Sequence, residues 1–490
     1  MLPIVHGRTV PPPYDRPVLR RGLDTIVGLL ARLAVRLATR SLEIRNRERI
    51  PTDRPVLVVA NHFNGFVDPL VLVAVLGRVP RFLAKATLWK ILPVRPFLAL
   101  AGVIPVHRAE DGGAGDANVR SFAAAETALR QRQMVAIFPE GTTHDEPRLA
   151  EVRTGAARIA LGARAAGAEG LVILPVGLMF EDKVALRTRV FARVGKPIVL
   201  DGVLPTLVDP GEPVDESNHD LVRALTAVLT ERLQDVAPDY DDRWEHAELA
   251  LAAEVTLRTS RKRRDDPALG EREELAQRLA DADPAPVRAA AQRYAAHLHL
   301  LDVDDVVPAA GVIGLLGLLS QLVRVGIALA AGYVLLAPGL VSSVVPAALV
   351  AIAGAQPAAP VTKGTVRVLT GIVAFLVAWS VSCYVVTDTA LSRVGWFGYQ
   401  VAAAVLALPI IDASIRWWRE ARSWYHLRER RGALPDLVAD RAALVDAVSR
   451  LERGPQDAQH AVAAPDHLPD GGLVAEGAER LDLGGEADHR

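Results

Sequence analysis

Residues 306–412 limit the architecture of this chain more than any other stretch. Gly311–Leu336 carries a single charge, Arg324, and the apolar run resumes over Val341–Ile352 after Pro338 and Gly339. Val366–Val386 and Val394–Ile411 each come close to the ~20 apolar residues needed to cross a bilayer. In lipid every backbone N–H and C=O must be paired within the segment, so such runs are helices. The first block reads as two spans or as a re-entrant hairpin broken at Pro338. After Ile411 come Arg416, Arg419, Arg422, Arg428, Arg430 and Arg431, interleaved with Trp417, Trp418, Trp424 and Tyr425. Basic residues beside an aromatic belt mark a cytoplasmic interface. With the preceding domain on that same side the crossings are even in number: four, or two plus a re-entrant pair. The competing reading is a buried helical bundle of a soluble domain, which so low a charge density disfavours.

The rest divides by pattern. Residues 1–40 form a Pro-rich leader and a basic amphipathic helix. In that helix Ile26, Leu30, Leu33 and Leu37 recur at helical spacing, and Arg32, Arg36 and Arg40 step along another face. Such a helix either lies on an anionic membrane or packs on its own domain with a solvated basic side. From 41 to 205 short apolar runs alternate with helical stretches. Val56–Ala60, Arg81–Ala84, Val103–Val106, Met134–Phe138, Leu171–Val176 and Val190–Val194 read as buried strands, and Ser121–Gln131 and Gly155–Ala166 as helices. The fold class is therefore α/β, a mixed sheet flanked by helices. Residues 206–305 read as a helical extension, 413–452 as a basic cytoplasmic helix, and 453–490, almost without aromatics, as a disordered tail.

Charge and cysteine content remove several function classes. With 56 Lys plus Arg against 57 Asp plus Glu, the net charge is -1, so no basic excess points to nucleic acid as a partner. The single cysteine, Cys383, excludes an intrachain disulfide framework, and no Cys/His spacing reads as a metal site. Met1–Arg21 lacks the apolar core of a secretory signal, so the α/β part is expected in the cytoplasm.

The chemistry concentrates at strand ends. In VLVVANHFNGFVDPL, Val56–Leu70, a buried strand runs into His62, and Asp68 follows six positions later. A histidine there can act as general base, and a nearby carboxylate can fix its tautomer and stabilise the imidazolium. The substrate would bring the nucleophile as an alcohol, and no G-x-S-x-G serine-hydrolase elbow is present. Such a pair in isolation is more often structural. Three further blocks accompany it: Gly102–Arg108, Phe138–Thr143 and Ile173–Gly177. Arg108 suits bidentate phosphate binding. Glu140, Gly141 and Thr142 form a small-residue turn whose N–H groups can face an anion. Lys85 and Arg153 lie near the same strand ends and would complete a basic cup.

Together these blocks resemble the glycerolipid acyltransferase family, which includes glycerol-3-phosphate and lysophosphatidate acyltransferases. The resemblance covers 41–205. It implies that His62 and Asp68 are the catalytic dyad, that Arg108, Glu140 and Gly141 bind the glycerol phosphate, and that Pro175 and Val176 lie on the acyl-donor side. It further implies acyl-CoA or acyl-carrier protein as co-substrate with no other cofactor and no metal, and an integral membrane protein. The usual spacing leaves four residues between His and Asp, whereas Phe63–Val67 makes five. That longer form resembles the fungal-type glycerol-3-phosphate/dihydroxyacetone-phosphate acyltransferases, and Gly65 could absorb the extra residue. Glycerol-3-phosphate is thus the first acceptor expected, with 1-acyl-glycerol-3-phosphate or another lysolipid as alternative. A third reading is a non-catalytic membrane scaffold.

Overall fold

The structure is a computed structural model that describes residues 4–5, 8–9, 17–91, 95–107, 116–185, 187–261, 266–306, 315–356 and 360–462. At its centre Val56–Ala60 (VLVVA), with five side chains fully buried, is a strand covered on both faces. That is why it reads as an unbroken apolar run and not as an alternating one. In chain order the strands of the main sheet are β1 (Thr39–Arg45), β2 (Val56–Ala60), β3 (Arg81–Lys85), β4 (Ile104–Val106), β5 (Met134–Ile137), β6 (Val172–Phe180), β7 (Thr188–Val194) and β8 (Ile198–Val199). They form an eight-stranded sheet in the order β1-β7-β6-β2-β5-β3-β4, with β8 paired to β6. β2 lies parallel to both β5 and β6, β5 to β3, and β3 to β4; β6 and β7 are antiparallel. The carboxyl ends of β2, β3, β5 and β6 therefore open on one edge, where sheets of this kind place their ligands.

Helices cover both faces. On one lie α1 (Pro17–Ala38) and α2 (Val67–Leu76), burying Ala31, Val35, Val71, Leu72 and Val75. On the other lie α4 (Asp116–Arg130), α5 (Gly155–Ala165) and α6 (His219–Gln234), burying Leu129, Ile159, Leu161, Leu225 and Leu229; the short α3 is Arg95–Ala101. Each such aliphatic side chain contributes about 1.5–3 kcal/mol when fully buried. The N-terminal helix turns a different stripe inward from the one read off its leucines. Ala31 and Val35 face the sheet, while Ile26 and Leu30 stay about half exposed, at 55% and 50%. β1 is a strand that the alternation did not reveal, because only Leu42 and Ile44 mark it as apolar. It pairs parallel with β7, Leu42 opposite Val190.

Beyond the sheet, α7 (Arg243–Arg261), α8 (Leu269–Ala280), α9 (Ala285–Leu301) and α13 (Leu434–Val462) share a core that includes Leu249, Leu275, Tyr294, Leu437 and Leu444. Inside it the buried Arg258 is matched by Asp305 at 2.8 Å, Asp266 at 3.0 Å and Glu254 at 2.6 Å. Helix α13 continues to Val462, into the segment expected to be disordered from 453, because its first turns are anchored by Leu437, Leu444 and Val448. Residues 463–490 lie outside the described ones.

Between these parts run three long helices, α10 (Leu315–Ala355), α11 (Pro360–Val386) and α12 (Ala390–Glu429). α10 is helical through Pro338 and Gly339, so the first two apolar runs form one helical element. Val366–Val386 and Ala390–Glu429 are each long and apolar enough to cross a membrane, and only 11% and 17% of their most apolar windows are buried. A core helix of a soluble domain would be mostly covered. Gln400 of α12 ties the three together, accepting from the Ser342 hydroxyl of α10 and donating to the Trp379 carbonyl of α11 at 3.3 Å.

The close fit of the segment just after α6 to β6 rests on Gly177. A methyl group there would sit 1.9 Å from the Val236 carbonyl oxygen, a backbone atom that cannot swing aside. Gly177→Ala should cost about 3 kcal/mol through overpacking. Thermal unfolding of the purified protein measures it, and an unchanged midpoint would contradict this packing.

Candidate active site

β2 ends at Ala60, and the next two residues are both pinned. The Asn61 side chain pairs with the Leu178 backbone in both directions, donating to its O at 2.9 Å and accepting from its N–H at 2.7 Å. This locks the end of β2 to β6 and sends His62 out at the sheet edge. His62 Nδ1 lies 2.9 Å from Asp68 Oδ2. Asp68 sits in the first turn of α2 and is completely buried. The loop between them closes on Asn64. The Asn64 N–H donates to Asp68 Oδ2 at 2.7 Å, the Asp68 N–H returns to Asn64 O at 3.0 Å, and Asn64 Nδ2 reaches Lys183 O at 3.0 Å.

A second buried carboxylate grips His62 by its backbone. Glu140 Oε1 accepts from the His62 N–H at 2.6 Å, and Oε2 accepts from the Ala150 N–H at 3.0 Å and from His144 Nε2. The imidazole of His62 stacks on Phe138, centroids 4.1 Å apart and planes 13° from parallel. An aromatic face under a ring that gains positive charge is favourable. With Nδ1 facing Asp68 Oδ2, the tautomer that donates from Nδ1 leaves Nε2 as the nitrogen able to take a proton from a hydroxyl.

The remaining expected residues divide clearly. Gly141 and Arg153 meet: Gly141 has φ +69°, and a Cβ there would lie 3.3 Å from Arg153 Cδ, so the arginine side chain crosses the turn where only glycine leaves room. The Arg153 N–H donates to Pro139 O at 3.0 Å. Lys85 ends β3, two strands from β2 and about 10 Å away by strand spacing. Thr142 is exposed, with its hydroxyl on the Thr143 carbonyl at 3.4 Å. The direct acceptor contact expected of Glu140 does not fit its surroundings, since the carboxylate is 1% exposed and filled by protein donors. It is a buttress for His62 and the 144–150 segment. Pro175 and Val176 are buried in β6 beside Val59 and Ala60, on opposite faces of the sheet, so they do not line one surface together. Arg108 lies outside the described residues.

The sequence alone assigned no site role to Asn61, Asn64, His144 or Lys183. His144 reaches Glu140 and packs edge-on against Phe63 at 5.3 Å, while Lys183 pairs with Asp145 at 2.6 Å. Asn61 and Asn64 bracket His62 within a single motif, which was the available signal. Lys183 is distant in sequence and carried none.

Residues 41–179 match the family model described as Acyltransferase. Over 128 residues the chain is 36% identical to glycerol-3-phosphate O-acyltransferase 2 of Saccharomyces cerevisiae, covering 25% of this chain and 16% of that protein. It is 27% identical over 144 residues to a chloroplastic 1-acyl-sn-glycerol-3-phosphate acyltransferase of Arabidopsis thaliana, covering 29% and 37%. With the human 1-acyl-sn-glycerol-3-phosphate acyltransferase alpha it shares 28% over 200 residues, covering 39% and 65%. The chain thus spans less than two thirds of each of these relatives. A solved structure of the 1-acyl-sn-glycerophosphate acyltransferase PlsC from Thermotoga maritima aligns with 45% of this chain and 82% of its own, at TM-score 0.32 and 19% identity. Residues 41–179 thus carry an acyltransferase domain similar to those of glycerolipid-acylating relatives.

Burial raises the Asp68 carboxyl above its ordinary value of 3.8, against the opposing pull of the His62 ring and of the Asn64 and Phe63 N–H groups. A carboxyl whose folded pKa is raised favours folding while protonated, and that contribution is lost as pH climbs through the folded value. Asp68→Asn carries no such charge. Its stability relative to wild type should therefore be most favourable at neutral and alkaline pH and should converge toward pH 4. Thermal unfolding of both proteins across pH tests this, and a gap that widens on acidification would contradict it.

Proposed function

We propose that the chain is an O-acyltransferase that moves a fatty acyl group from a thioester of CoA or acyl-carrier protein onto the hydroxyl of glycerol-3-phosphate. The observation that carries this reading is the His62–Asp68 pair at the sheet edge, with Nδ1 of His62 2.9 Å from Asp68 Oδ2. In this mechanism Nε2 removes the hydroxyl proton as the oxygen attacks the thioester carbonyl. The ester C–O bond forms, the C–S bond breaks, and His62 returns the proton to the departing thiolate. Asp68 stabilises the intervening imidazolium. Arg108, Arg153 and Lys85 anchor the acceptor phosphate, with Gly141 and Thr142 shaping the turn beneath it. Positioned base catalysis supplies ~10²–10⁴-fold, and orientation of the anchored alcohol supplies the larger share of the remaining rate.

The choice of glycerol-3-phosphate is supported by the name of the yeast relative and by the five residues between His62 and Asp68. A second reading takes 1-acyl-glycerol-3-phosphate as acceptor, as the names of the Arabidopsis and human relatives say of those proteins. The same reading places α10–α12 in a bilayer with the sheet domain on its cytoplasmic side. Arg367 of α11 touches the Val184 carbonyl, and Asp412 of α12 pairs with Arg187 at 3.1 Å, so both contacts lie on the β6–β7 turn. Any passage of lipid between 367 and 412 is therefore out and back.

Full-length protein in membranes, given labelled acyl-CoA and a panel of glycerol-3-phosphate, dihydroxyacetone phosphate and lysophosphatidate, should acylate glycerol-3-phosphate fastest. His62→Ala should lose at least ~10² in kcat while its amount in the membrane is unchanged. Transfer only to lysophosphatidate would overturn the acceptor assignment, and undiminished transfer by His62→Ala would overturn the mechanism.

A further inference from the structure

Helices α11 and α12 form a hairpin whose open end is tied to the sheet domain, Arg367 to the Val184 carbonyl and Asp412 to Arg187. No Asp, Glu, Lys or Arg lies between Arg367 and Asp388, or between Arg393 and Asp412. Val366–Val386, with 21 residues, makes about 31 Å of helix, the thickness of a bilayer's hydrocarbon core. Charge returns at the tip, where Asp388 is exposed and the Arg393 guanidinium covers the Tyr384 ring at 4.4 Å. Roughly midway the two helices meet, the Gln400 amide donating to the Trp379 carbonyl at 3.3 Å.

Contacts at three levels set α10 against this hairpin. At the sheet end a Cβ on Gly332 would meet Ile410 Cδ1 at 2.6 Å. At mid-depth a Cβ on Gly339 would lie 2.9 Å from Ala403 Cβ, the Ser342 hydroxyl donates to Gln400, and Trp379 Nε1–H donates to Ser343 Oγ at 3.1 Å. Further on, Val350 meets Gly371, and Gly354 abuts Arg367, back at the sheet end. A straight helix from Gly332 to Gly354 would cover about 33 Å, a whole bilayer, and would leave its two ends on opposite sides. Both ends instead stand at the sheet side, and the deepest contacts reach only halfway to Asp388. The segment before α10 is held on that side too, since the Asp304 N–H donates to the Ser423 hydroxyl at 3.0 Å and Asp302 pairs with Arg422. Pro338 stands at the lowest point, and a proline inside a helix removes one N–H and bends the axis. The returning arm is two-faced. Val341, Val344, Val345, Leu349 and Ile352 are exposed along one side, while Gly339, Ser343, Val350 and Gly354 turn to the hairpin. The polar groups at mid-depth are paired with one another, as a water-free surrounding requires.

We propose that α10 is a re-entrant wedge in the leaflet nearest the sheet domain. Its exposed stripe, Val341 to Ile352, contacts the acyl chains of that leaflet alone, and α11 and α12 make the only two crossings among the described residues. The partner of this surface is bilayer lipid, because the stripe lies at the depth that the charge-free hairpin assigns to hydrocarbon. The proposal rests on the bilayer placement of α10–α12 and not on the choice of acceptor. It means that the protein displaces more lipid from the near leaflet, three helices wide, than from the far one, two helices wide.

The test places single cysteines in the full chain, whose one native cysteine, Cys383, is removed as Cys383→Ser, or as Cys383→Ala if the first background does not fold. Gln356→Cys reports the end of α10, Asp388→Cys the hairpin tip and Val341→Cys the low point of the wedge. In sealed vesicles of one orientation, a membrane-impermeant maleimide should modify Gln356→Cys only from the sheet-domain side and Asp388→Cys only from the other. Val341→Cys should react at least ~tenfold more slowly than either, from both sides, because a thiol in hydrocarbon does not ionise. A nitroxide on Val341→Cys should read mid-bilayer depth, and one on Ile352→Cys the near headgroups. Fast modification of Val341→Cys from the far side would overturn the wedge in favour of four crossings, with the hairpin left in place. Fast modification of Val341→Cys from the sheet-domain side would overturn it by placing α10 on the surface. Asp388→Cys modified from the sheet-domain side would overturn it together with the bilayer placement of the hairpin. None of these is read through turnover, so a failed acyltransferase assignment leaves each result intact.

Discussion

Two buried carboxylates hold one residue, and the rest of the site depends on that grip. Asp68 takes the ring of His62 and Glu140 takes its backbone N–H, and neither acid is measurably open to water. Burying a carboxylate is expensive unless donors fill its oxygens. The fold therefore supplies Asn64, Ala150 and His144 as further donors. One Asp68 oxygen, Oδ1, still has no partner. The direction of the Asp68 pKa shift follows from this residual desolvation, and such a cost is typical of sites whose charge serves chemistry and not stability.

The β6–β7 turn is the second organising feature. Arg187, at φ +60°, donates to the Arg36 and Thr39 carbonyls at 2.6 Å, receiving the end of α1, and pairs with Asp412 of α12. The Val184 carbonyl takes Arg367 of α11, and the Lys183 carbonyl takes Asn64 of the dyad loop. The N-terminal helix, two C-terminal helices and the His62 loop thus converge on a handful of consecutive residues. Docking of the apolar helices and placement of the dyad are mechanically linked through backbone carbonyls.

Much of this was legible in the residues and some was not, for physical reasons. Strands buried on both faces announce themselves as apolar runs, so β2, β5 and β6 were readable, whereas the edge strand β1 has too few apolar residues to stand out. Proline is a strong stop signal on its own, yet α10 continues through Pro338. His62 and Asp68 were readable because strand and helix start lie within one short segment. The role of Glu140 was not, since burial and donor count come from the 144–150 segment folding back. Lys183 and Arg367 were invisible as neighbours because they meet only through tertiary packing of segments far apart in the chain.

The central claim is that Asp68 fixes His62 with the proton on Nδ1 and with Nε2 free. Nitrogen-15 NMR of histidine-labelled protein, with His62 assigned by its loss in His62→Ala, reads that state directly at neutral pH. A protonated Nδ1 coupled to a bare Nε2, with that preference lost in Asp68→Asn, is the predicted result. A His62 ring protonated on Nε2 in the wild-type protein, unaffected by Asp68→Asn, would contradict the account.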